Sequence, residues 1–374
     1  MADRHTTVTK TGWLGRIGQS FLGVLFGLSL FFASFVVLYL NEGRTDFSKV
    51  AQTAIEVSLD GAAANAQGKL VSATGPVTTT ETIGDERFLV PETYLAFWRE
   101  VEMYAWQERS RSETQRNTGG SETTRTTYTY SKGWSRNPEN SNQFEVSEGH
   151  ENPAMTIADQ SGSASQMQIG AYSLRGDRLT LPQPKNPLQL TPEVVELSDD
   201  LTLEETYLFQ GAGTLDAPEI GDLRIRYYVL PNGTTLTVFG DLKNGAIEPH
   251  LTRRQDVFYR ALAGIHGEAI AQLKGEYKMA LWGFRILGFL MLWLGLVLTA
   301  RPMAVVLDFV PFVGDFFRSV SGVASFFVAA LLWSVTVIIS ILLHNIVAMI
   351  VAAIVIIVAW FGVRRLILRP SDSA

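Results

Sequence analysis

The sequence contains no cysteine and only five histidines among its 374 residues. Without cysteine, the chain cannot form a disulfide framework, a thiolate zinc site or a cysteine nucleophile. The histidines are too scattered to form a local metal-binding motif; they are His5, His150, His250, His266 and His344. A net charge of −6 argues against a nucleic-acid-binding protein, which needs a basic surface to neutralise phosphates. The composition therefore predicts no metal, no cofactor and no nucleic-acid partner.

Charged residues are rare or missing in three long stretches of the chain. Residues 17–41 and 319–363 contain no Asp, Glu, Lys or Arg, and residues 279–300 contain only Arg285. About 20 apolar residues in a helix cross a hydrocarbon core of roughly 30 Å. The last stretch is long enough for two crossings, with a polar turn at His344. We therefore predict a membrane protein with four transmembrane helices, at residues 21–40, 279–300, 323–343 and 346–363.

A cleaved signal peptide is the alternative for the first stretch. Its apolar run would be about 7–15 residues long and would end at a small-residue cleavage site. The run here is longer and leads into residues 40–44, Leu-Asn-Glu-Gly-Arg, which contain no such site. We therefore predict that the first helix is a retained membrane anchor.

Cations concentrate on one side of the predicted helices, as they do in cytoplasmic loops. They precede the first helix, flank the connection after the second and follow the fourth: Arg4, Lys10, Arg16, Arg301, Arg318, Arg364, Arg365 and Arg369. We therefore predict cytoplasmic segments at 1–20, 301–322 and 364–374. Residues 41–278 are predicted to form a periplasmic or luminal domain, because large domains are translocated whatever their local charge.

A long β-hairpin is the clearest pattern in this domain. Residues 94–109 alternate between an apolar face and a face that carries Glu102, Tyr104 and Trp106. Residues 122–135 are rich in Thr and Tyr, which favour strands, and the intervening residues include Asn and Gly, which favour turns. The domain is therefore predicted to be β-rich.

Further elements complete the predicted fold. A second hairpin is expected at residues 222–239, with its turn at residues 231–233, Pro-Asn-Gly. Shorter strands are expected at 69–74, 87–90, 166–174 and 204–209, and prolines make 181–192 irregular. Residues 251–279 have apolar residues at helical spacing, which predicts a domain helix that runs into the second span rather than a helix lying on the membrane. The predicted fold class is an α+β membrane protein, with four transmembrane helices and a large β-rich extracytoplasmic domain inserted between helices 1 and 2.

The polar middle of the chain carries none of the nucleophile-elbow, P-loop, zinc-protease or dinucleotide-binding motifs. His150 and Glu151, within the sequence Gly-His-Glu-Asn-Pro, are the strongest catalytic candidates, because an imidazole beside a carboxylate can act as a base. Adjacent residues of an extended chain point to opposite faces, however, so the side chains of His150 and Glu151 would not act together. We therefore favour a turn in which His150 is a hydrogen-bonding strut, and we predict a non-enzymatic protein.

Charged residues near the membrane segments have two interpretations each. Arg285 lies about two turns from the outer end of its span, so snorkelling to the interface is favoured over pairing with an acidic group or lining a polar pathway. The apolar sequence around Asp308 and Pro311 favours an interfacial helix broken at Pro311, with a re-entrant pore element as the alternative.

Small residues recur in the first two spans. Gly23 and Gly27 form a G-x-x-x-G motif, and Gly288 and Gly295 lie one heptad apart. These glycines are predicted to pack helices together, within one chain or between copies. The third and fourth predicted spans contain few polar residues, which argues against a wide aqueous pore.

Several segments resemble the transmembrane protein 43 (LUMA) family. Asn41, Glu42, Gly43 and Arg44, directly after the first span, look like its NEGR motif. Further similarities follow the same order along the chain: residues 101–104 with Trp106 to its VEMYQW stretch, Gly149, His150, Asn152 and Pro153 to its GHxNP, and Gln168–Gly170, Gly221–Asp222–Leu223–Arg224 and 307–311 to its later segments. The resemblance extends from residue 41 to about residue 315, which covers most of the chain.

The resemblance implies four spans with a large domain between the first and second, in agreement with the charge pattern. Family members are associated with the endoplasmic reticulum and inner nuclear membrane of animals, where they are thought to self-associate and to organise membrane protein complexes. This chain departs from the animal pattern in its hairpin turns, its lack of cysteine and its short Arg-rich tail. The departures favour a bacterial inner-membrane protein, and the resemblance supplies no catalytic residue.

Three functions are therefore compared. The leading hypothesis is a scaffold that self-associates through its helices and presents the β-rich domain to other membrane proteins or to lipids. An ion channel or channel subunit is the alternative, because of Arg285 and the acidic residues of the 301–322 connection. A membrane enzyme that acts on lipid, with His150 and a carboxylate, is the third. The expected partners are the lipid bilayer, further copies of the chain and other membrane proteins.

Overall fold

The structure, a computed structural model, describes residues 3–61, 63–117, 120–204, 206–308 and 313–344. Its helices are α1 (Trp13–Glu42), α2 (Phe47–Ala51), α3 (His266–Leu307) and α4 (Val313–His344). Its strands are β1 (Asp3–Thr11), β2 (Ile55–Val57), β3 (Leu70–Thr78), β4 (Tyr94–Arg116), β5 (Glu122–Ser135), β6 (Gln160–Ser163), β7 (Gln166–Ile169), β8 (Tyr172–Arg175), β9 (Leu201–Glu204), β10 (Tyr207–Gln210), β11 (Leu223–Pro231), β12 (Thr235–Lys243), β13 (Ala246–Glu248), β14 (His250–Leu251), β15 (Val257–Phe258) and β16 (Arg260–Ala263).

The chain divides into two compact units. The sheet unit contains Met1–Thr7, Asp46–Glu113 and Arg125–Gly275, and the helical unit contains Val8–Thr45, Thr114–Thr124 and Glu276–Ala374. The predicted fourth span at 346–363, the tail at 364–374 and Pro311 lie outside the described residues.

The first sheet has the strand order β1, β5, β4, β11, β10, β9, and β6 also pairs with β4. The period-two pattern of β4 correctly predicts its two faces, because Val101, Met103 and Ala105 are at most 1% exposed. These three side chains pack in a core with Ile225 and Tyr227 of β11. The sequence prediction of a long hairpin formed by β4 and β5 is confirmed; β5 has the predicted bounds, whereas β4 continues beyond its predicted end at residue 109 to Arg116.

The second sheet closes on itself. β12 pairs with β3 on one side and with β13 on the other, and β13, β8, β7 and β3 pair in succession. The apolar side chains of these strands fill the interior of the ring; they include Val71, Met167, Ile169, Leu236, Val238 and Ile247. A closed ring leaves few free strand edges, which would otherwise invite aggregation.

The prediction of a second hairpin at residues 222–239 is wrong. Both strands exist, but β11 pairs with β4 and β10, whereas β12 pairs with β3, β13 and β16. The turn instead carries the chain from the first sheet to the second. Asn232 fixes this crossing, because its side chain accepts from the N–H of Thr79 and donates to the carbonyl of Thr79, both at 3.0 Å.

The shorter predicted strands have mixed outcomes. Residues 69–74 coincide with β3, residues 166–174 form the hairpin of β7 and β8, and residues 204–209 span the end of β9 and most of β10. Residues 87–90 form no strand and make only a bridge from Leu89 to Val195. The segment 181–192 is irregular, as predicted.

The helix predicted at residues 251–279 begins only at His266, after β14, β15 and β16. Gly264, with φ +87°, separates the last strand from the helix. Ala269 and Leu273 are at most 2% exposed and pack against Phe258 in the sheet unit. The start of α3 is therefore part of the domain rather than a helix lying on a membrane surface.

Three described helices, α1, α3 and α4, are long and apolar enough to cross a membrane. α1 and α3 pack through glycines: a Cβ on Gly27 would lie 2.8 Å from the carbonyl oxygen of Gly295, and a Cβ on Gly288 would lie 2.5 Å from Leu38. A Cβ on Gly23 would have no neighbour within 4 Å among the described atoms. The predicted small-residue packing is thus found within one chain at three of the four glycines.

The connection predicted at 301–322 is mostly helical. α3 continues through Pro302 to Leu307, and α4 already begins at Val313. Ala304 and Val305 are buried, at 2% and 3% exposure, which explains why this apolar segment is not a free loop.

Candidate functional site

The residues that follow the first span join α1 to the other described helices. Asn41 Nδ2 donates to the carbonyl of Leu281 in α3 at 3.0 Å. Arg44 lies over the ring of Phe284, 4.9 Å from its centroid, in a cation–π contact. Residues 41 and 44 of this motif therefore hold the end of α1 against α3, a role that their position in the sequence does not reveal.

Arg285, for which snorkelling to the interface was the favoured interpretation, forms an ion pair with an acidic side chain. Its Nε and Nη2 donate to the two carboxylate oxygens of Glu42 at 2.7 and 2.8 Å. The side chains of Arg285 and Glu42 are only 14% and 4% exposed. Trp333 of α4 donates to the carbonyl of Arg285 at 2.9 Å, so that the three helices meet at this residue. Pairing with an acidic group, the less favoured interpretation, is correct.

Gly43 is required by packing rather than by its backbone conformation, because its φ of −82° suits any residue. A Cβ at this position would lie 2.6 Å from Nε2 of His344, at the end of α4. The His344 ring also packs on Tyr39, with ring centroids 4.4 Å apart. A larger residue at position 43 would therefore displace His344 and disturb the contact of α1 with α4.

The second group of predicted residues lies on the half-buried face of β4 and β11. Arg224 stands opposite Glu102, and its Nε donates to the carboxylate at 2.6 Å. The guanidinium of Arg224 also lies 4.6 Å from the ring centroid of Trp134. Trp134 meets Tyr104 edge to face, with centroids 5.4 Å apart. The structure thus brings Glu102, Tyr104 and Arg224 together on one face.

Trp106 continues this face and packs on His150, with ring centroids 4.7 Å apart. His150 is 5% exposed and stacks on Tyr130 at 3.9 Å. Its Nδ1 lies 3.1 Å from the carbonyl oxygen of Val146, so this nitrogen carries a hydrogen. Its Nε2 lies 3.3 Å from a carboxylate oxygen of Asp3. A ring enclosed in this way favours the interpretation of His150 as a strut.

Tyr130 anchors the ring of His150 and is itself 1% exposed. Its hydroxyl donates to Glu108 at 2.7 Å and accepts from the N–H of Val146 at 3.0 Å. Burial, followed by the hydrogen bond to Glu108, raises the pKa of Tyr130 to about 12. The tyrosine therefore stays neutral over the physiological pH range.

Asn152 ties the same loop to β4. Its Oδ1 accepts from the N–H of Trp106 at 2.7 Å, and its Nδ2 donates to the carbonyls of Trp106 and Glu139 at 2.9 and 3.0 Å. Pro153 packs on Gly221, where an added Cβ would lie 2.9 Å from the proline ring. The predicted Gly-His-Glu-Asn-Pro segment therefore holds β4 in place at Trp106.

Asp222 organises the loop that precedes β11. It is 3% exposed, and its carboxylate accepts from three backbone N–H groups, those of Ala212, Gly213 and Glu219, at 3.0, 3.2 and 2.7 Å. Backbone groups that would otherwise be buried without a partner are thus satisfied. This role explains an aspartate directly before Leu223.

Asp85 is an important residue that sequence reasoning missed. Its carboxylate accepts from the backbone N–H groups of residues 87–89, pairs with Arg99 Nη1 at 2.6 Å and accepts from the hydroxyl of Tyr227. Burial alone would raise the pKa of Asp85, but the bonds from Tyr227 and the backbone outweigh it and hold the pKa below its usual value. Burial also raises the pKa of Tyr227. No local motif marks this site, because Arg99 and Tyr227 are distant in sequence.

Asp308, directly after α3, pairs with arginines of α1 and α4. Its carboxylate lies 2.6 Å from Nη2 of Arg16 and 2.8 Å from Nη2 of Arg318, and it is 5% exposed. Arg16 also donates to the carbonyl of Gly120 at 2.5 Å and pairs with Glu122 at 2.9 Å. The end of the hairpin thus contacts residues that the cation pattern assigns to the opposite side of the membrane.

The described residues contain no group of three His, Asp or Glu side chains placed to hold a metal ion. The predicted site residues form three separate groups: residues 41–44 with Arg285, the face of β4 with the supporting segment 149–153, and the cluster around Asp308. Ion pairs occur in all three groups, and packed rings occur in the first two.

The sequence profile of the transmembrane protein 43 family matches residues 103–365. The chain is 26% identical over 335 residues to Transmembrane protein 43 of Mus musculus, which covers 83% of this chain and 82% of that protein. It is 26% identical over 331 residues to Transmembrane protein 43 of Homo sapiens, with 83% and 81% covered. The Transmembrane protein 43 homolog of Drosophila melanogaster is 23% identical over 305 residues, with 77% and 79% covered. No solved structure matches the chain.

Proposed function

Because this chain belongs to the transmembrane protein 43 family, we propose that it is a multi-pass, non-enzymatic membrane scaffold. In this proposal the protein self-associates and presents its sheet unit to other membrane proteins or to lipids. Four spans anchor it in a bacterial inner membrane, with the sheet unit on the side opposite the C-terminal tail.

The face of β4 and β11 is the observation that carries this proposal. Trp134 lies between Arg224 and Tyr104 on a half-buried surface, and Trp106, two residues after Tyr104 in β4, lies under Lys132. Trp, Tyr and Arg are the residues that contribute most to protein–protein contacts, because each combines a large apolar area with a polar group. A face of this composition suits a partner protein better than a small substrate.

Rigid support of this face also favours a scaffold. Asn152 fixes the backbone of Trp106, and the ion pair with Glu102 fixes Arg224. A partner that binds such a preorganised surface loses less side-chain entropy than one that must order it. His150, the residue that an enzyme would need, is 5% exposed and offers little surface to a lipid substrate.

Site-specific photo-crosslinking tests the scaffold directly. A photoreactive phenylalanine analogue at Tyr104 should give discrete adducts in intact membranes, including one with the mass of two copies of the chain. The same analogue at Lys185, an exposed residue outside this face, is the control. Adducts of equal yield at both positions, together with a solubilised protein that stays monomeric across concentrations, would contradict the proposal.

One observation favours an ion channel as the second candidate. Glu122, at the end of the hairpin, pairs with Arg16 near the start of α1 at 2.9 Å, and residues 114–124 of the hairpin belong to the helical unit. Because the same unit contains the helices of membrane length, the channel hypothesis places these polar hairpin residues within the depth of the bilayer. Polar strands are tolerated there only when they are buried in protein or line a water-filled cavity.

Ion flux in liposomes tests this candidate. The exposed carboxylate of Glu113, near the end of β4, would contribute to cation selectivity, so Glu113→Gln should lower the ratio of cation to anion flux. Glu148→Gln, an exposed carboxylate outside the hairpin, is the matched control. Liposomes that contain folded protein and show no flux would exclude the channel.

A further inference from the structure

A cavity of about 310 Å³ lies within the helical unit, beside the start of α1. Four arginines line it, from α1, the hairpin end, α3 and α4: Arg16, Arg116, Arg301 and Arg318. Glu122 is the one carboxylate-bearing residue among the described lining residues. The lining side chains therefore carry four positive charges and one negative charge, whereas the whole chain has a net negative charge.

Carboxylates outside the cavity neutralise part of this charge. Arg16 and Arg318 pair with Asp308 at 2.6 and 2.8 Å, while Arg318 and Arg116 share Asp315. These pairs hold three of the arginines in position with respect to the cavity. The cluster contains four arginines and three carboxylates, those of Asp308, Asp315 and Glu122. One of the four positive charges is therefore not compensated.

Arg301 supplies the excess charge. Among the described residues, no ion pair or hydrogen bond engages its guanidinium, and the residue is exposed. A guanidinium carries five N–H donors in a planar fork that matches two oxygens of one phosphate. Arg301 can therefore bind an anion without breaking an existing pair.

We propose that this cavity binds the phosphate group of an anionic molecule, with Arg301 as the principal contact and Arg116 as a second one. The headgroup of an anionic phospholipid and free inorganic phosphate share this chemistry. The position of the cavity, where α1 begins and the apolar part of α3 ends, fits a headgroup, because basic pockets between transmembrane helices bind such groups.

Binding to the purified, delipidated full chain in detergent tests the proposal. The probes are dihexanoyl phosphatidylglycerol, dihexanoyl phosphatidylcholine and inorganic phosphate, each titrated by isothermal calorimetry. We expect phosphatidylglycerol to bind more tightly than phosphatidylcholine, and Arg301→Gln to weaken it about fivefold. Arg301→Lys keeps the charge but loses the fork, so its affinity should be intermediate.

Lys10→Gln is the matched control, because it removes one exposed positive charge shortly before α1 and does not line the cavity. An unchanged thermal transition should confirm that Arg301→Gln is folded. Inorganic phosphate that binds as tightly as phosphatidylglycerol, with the same dependence on Arg301, would support the site and identify free phosphate as its source. Equal binding of the two lipids, or equal effects of Arg301→Gln and Lys10→Gln, would overturn the proposal.

Discussion

The ion pair between Glu42 and Arg285 predicts that substitutions of the two residues are strongly non-additive. Both side chains are largely buried, and two hydrogen bonds of 2.7 and 2.8 Å join them. Replacing one partner leaves the other charge buried and unpaired, which costs about 3–5 kcal/mol of unfolding free energy. Replacing both by apolar residues of similar size removes the pair without leaving a charge behind.

The magnitude follows from this difference. Independent effects of Glu42→Leu and Arg285→Met would sum to about 6–10 kcal/mol. We expect the double variant to cost no more than the more severe single variant, because it buries no unpaired charge. The coupling free energy should therefore reach about 3 kcal/mol or more, at the upper end for contacting residues.

Unfolding of the full chain by dodecyl sulfate in mixed micelles provides the assay, with the fluorescence of Trp282, Trp293 and Trp333 as the signal from the helices. Arg44→Gln is the control, since it removes a cation from the same helix end but loses only a cation–π contact with Phe284, worth about 1 kcal/mol. Additive single effects, each below about 1 kcal/mol, would refute the reasoning and restore snorkelling as the role of the arginine.

Three further predictions concern other parts of the chain. Gly27→Leu should disrupt the packing of α1 on α3 and lower the thermal transition of the helices, whereas Gly23→Leu should leave it unchanged, because an added Cβ meets nothing there; equal effects would contradict the packing. Asp85→Asn should lower the unfolding free energy by about 3–5 kcal/mol at neutral pH, because Arg99 loses its buried partner. The pKa of Asp85 is lowered in the folded state, so its contribution to the free energy of unfolding is present above the usual value of 3.8 and is lost as the pH falls through the folded pKa. Denaturant unfolding at a series of pH values should therefore show a weaker acid dependence in Asp85→Asn than in the parent chain. Tyr130 should ionise near pH 12, so the ultraviolet absorbance change at that pH should be smaller in Tyr130→Phe. An unchanged titration curve would contradict the raised pKa of Tyr130.

Local sequence patterns were sufficient to predict three apolar helices of membrane length and the two faces of β4. Charge-free stretches of membrane length marked α1, α3 and α4, and alternation marked Val101 and Met103 as buried. Both signals depend only on neighbours within a few residues. They therefore predict the type of each element and its buried face, but not the strands or side chains with which it pairs.

Long-range partners explain what the sequence did not reveal. The apparent hairpin of β11 and β12 has a favourable turn sequence, yet its strands belong to different sheets, since Asn232 holds the crossing to Thr79 instead. Arg285 pairs with a carboxylate at the end of another helix, and Asp85, which lies outside the strands, joins a residue of β4 to one of β11. Such contacts depend on the assembled fold and leave no spacing pattern along the chain.

The contact of Asp3 with His150 has the same long-range origin and bears on sidedness. Both residues belong to the sheet unit, and Asp3 lies within the segment that the cation pattern assigned to the cytoplasm. This contact keeps the first described residues with the sheet unit, and the proposal of a cytoplasmic tail rests on the C-terminal cations. The proposal of opposite sides therefore concerns the sheet unit and the tail.

Cysteine labelling tests that proposal most directly, because the chain has no cysteine of its own. Single variants Lys185→Cys in the sheet unit, Asp372→Cys in the tail and Asn117→Cys at the hairpin end would be treated in intact cells with a membrane-impermeant maleimide, after opening of the outer membrane. We predict that Lys185→Cys is labelled at once, and Asp372→Cys only after the inner membrane is permeabilised. Labelling of Asn117→Cys together with Lys185→Cys would favour the scaffold, and labelling together with Asp372→Cys would favour the channel. Simultaneous labelling of Lys185→Cys and Asp372→Cys would contradict the account.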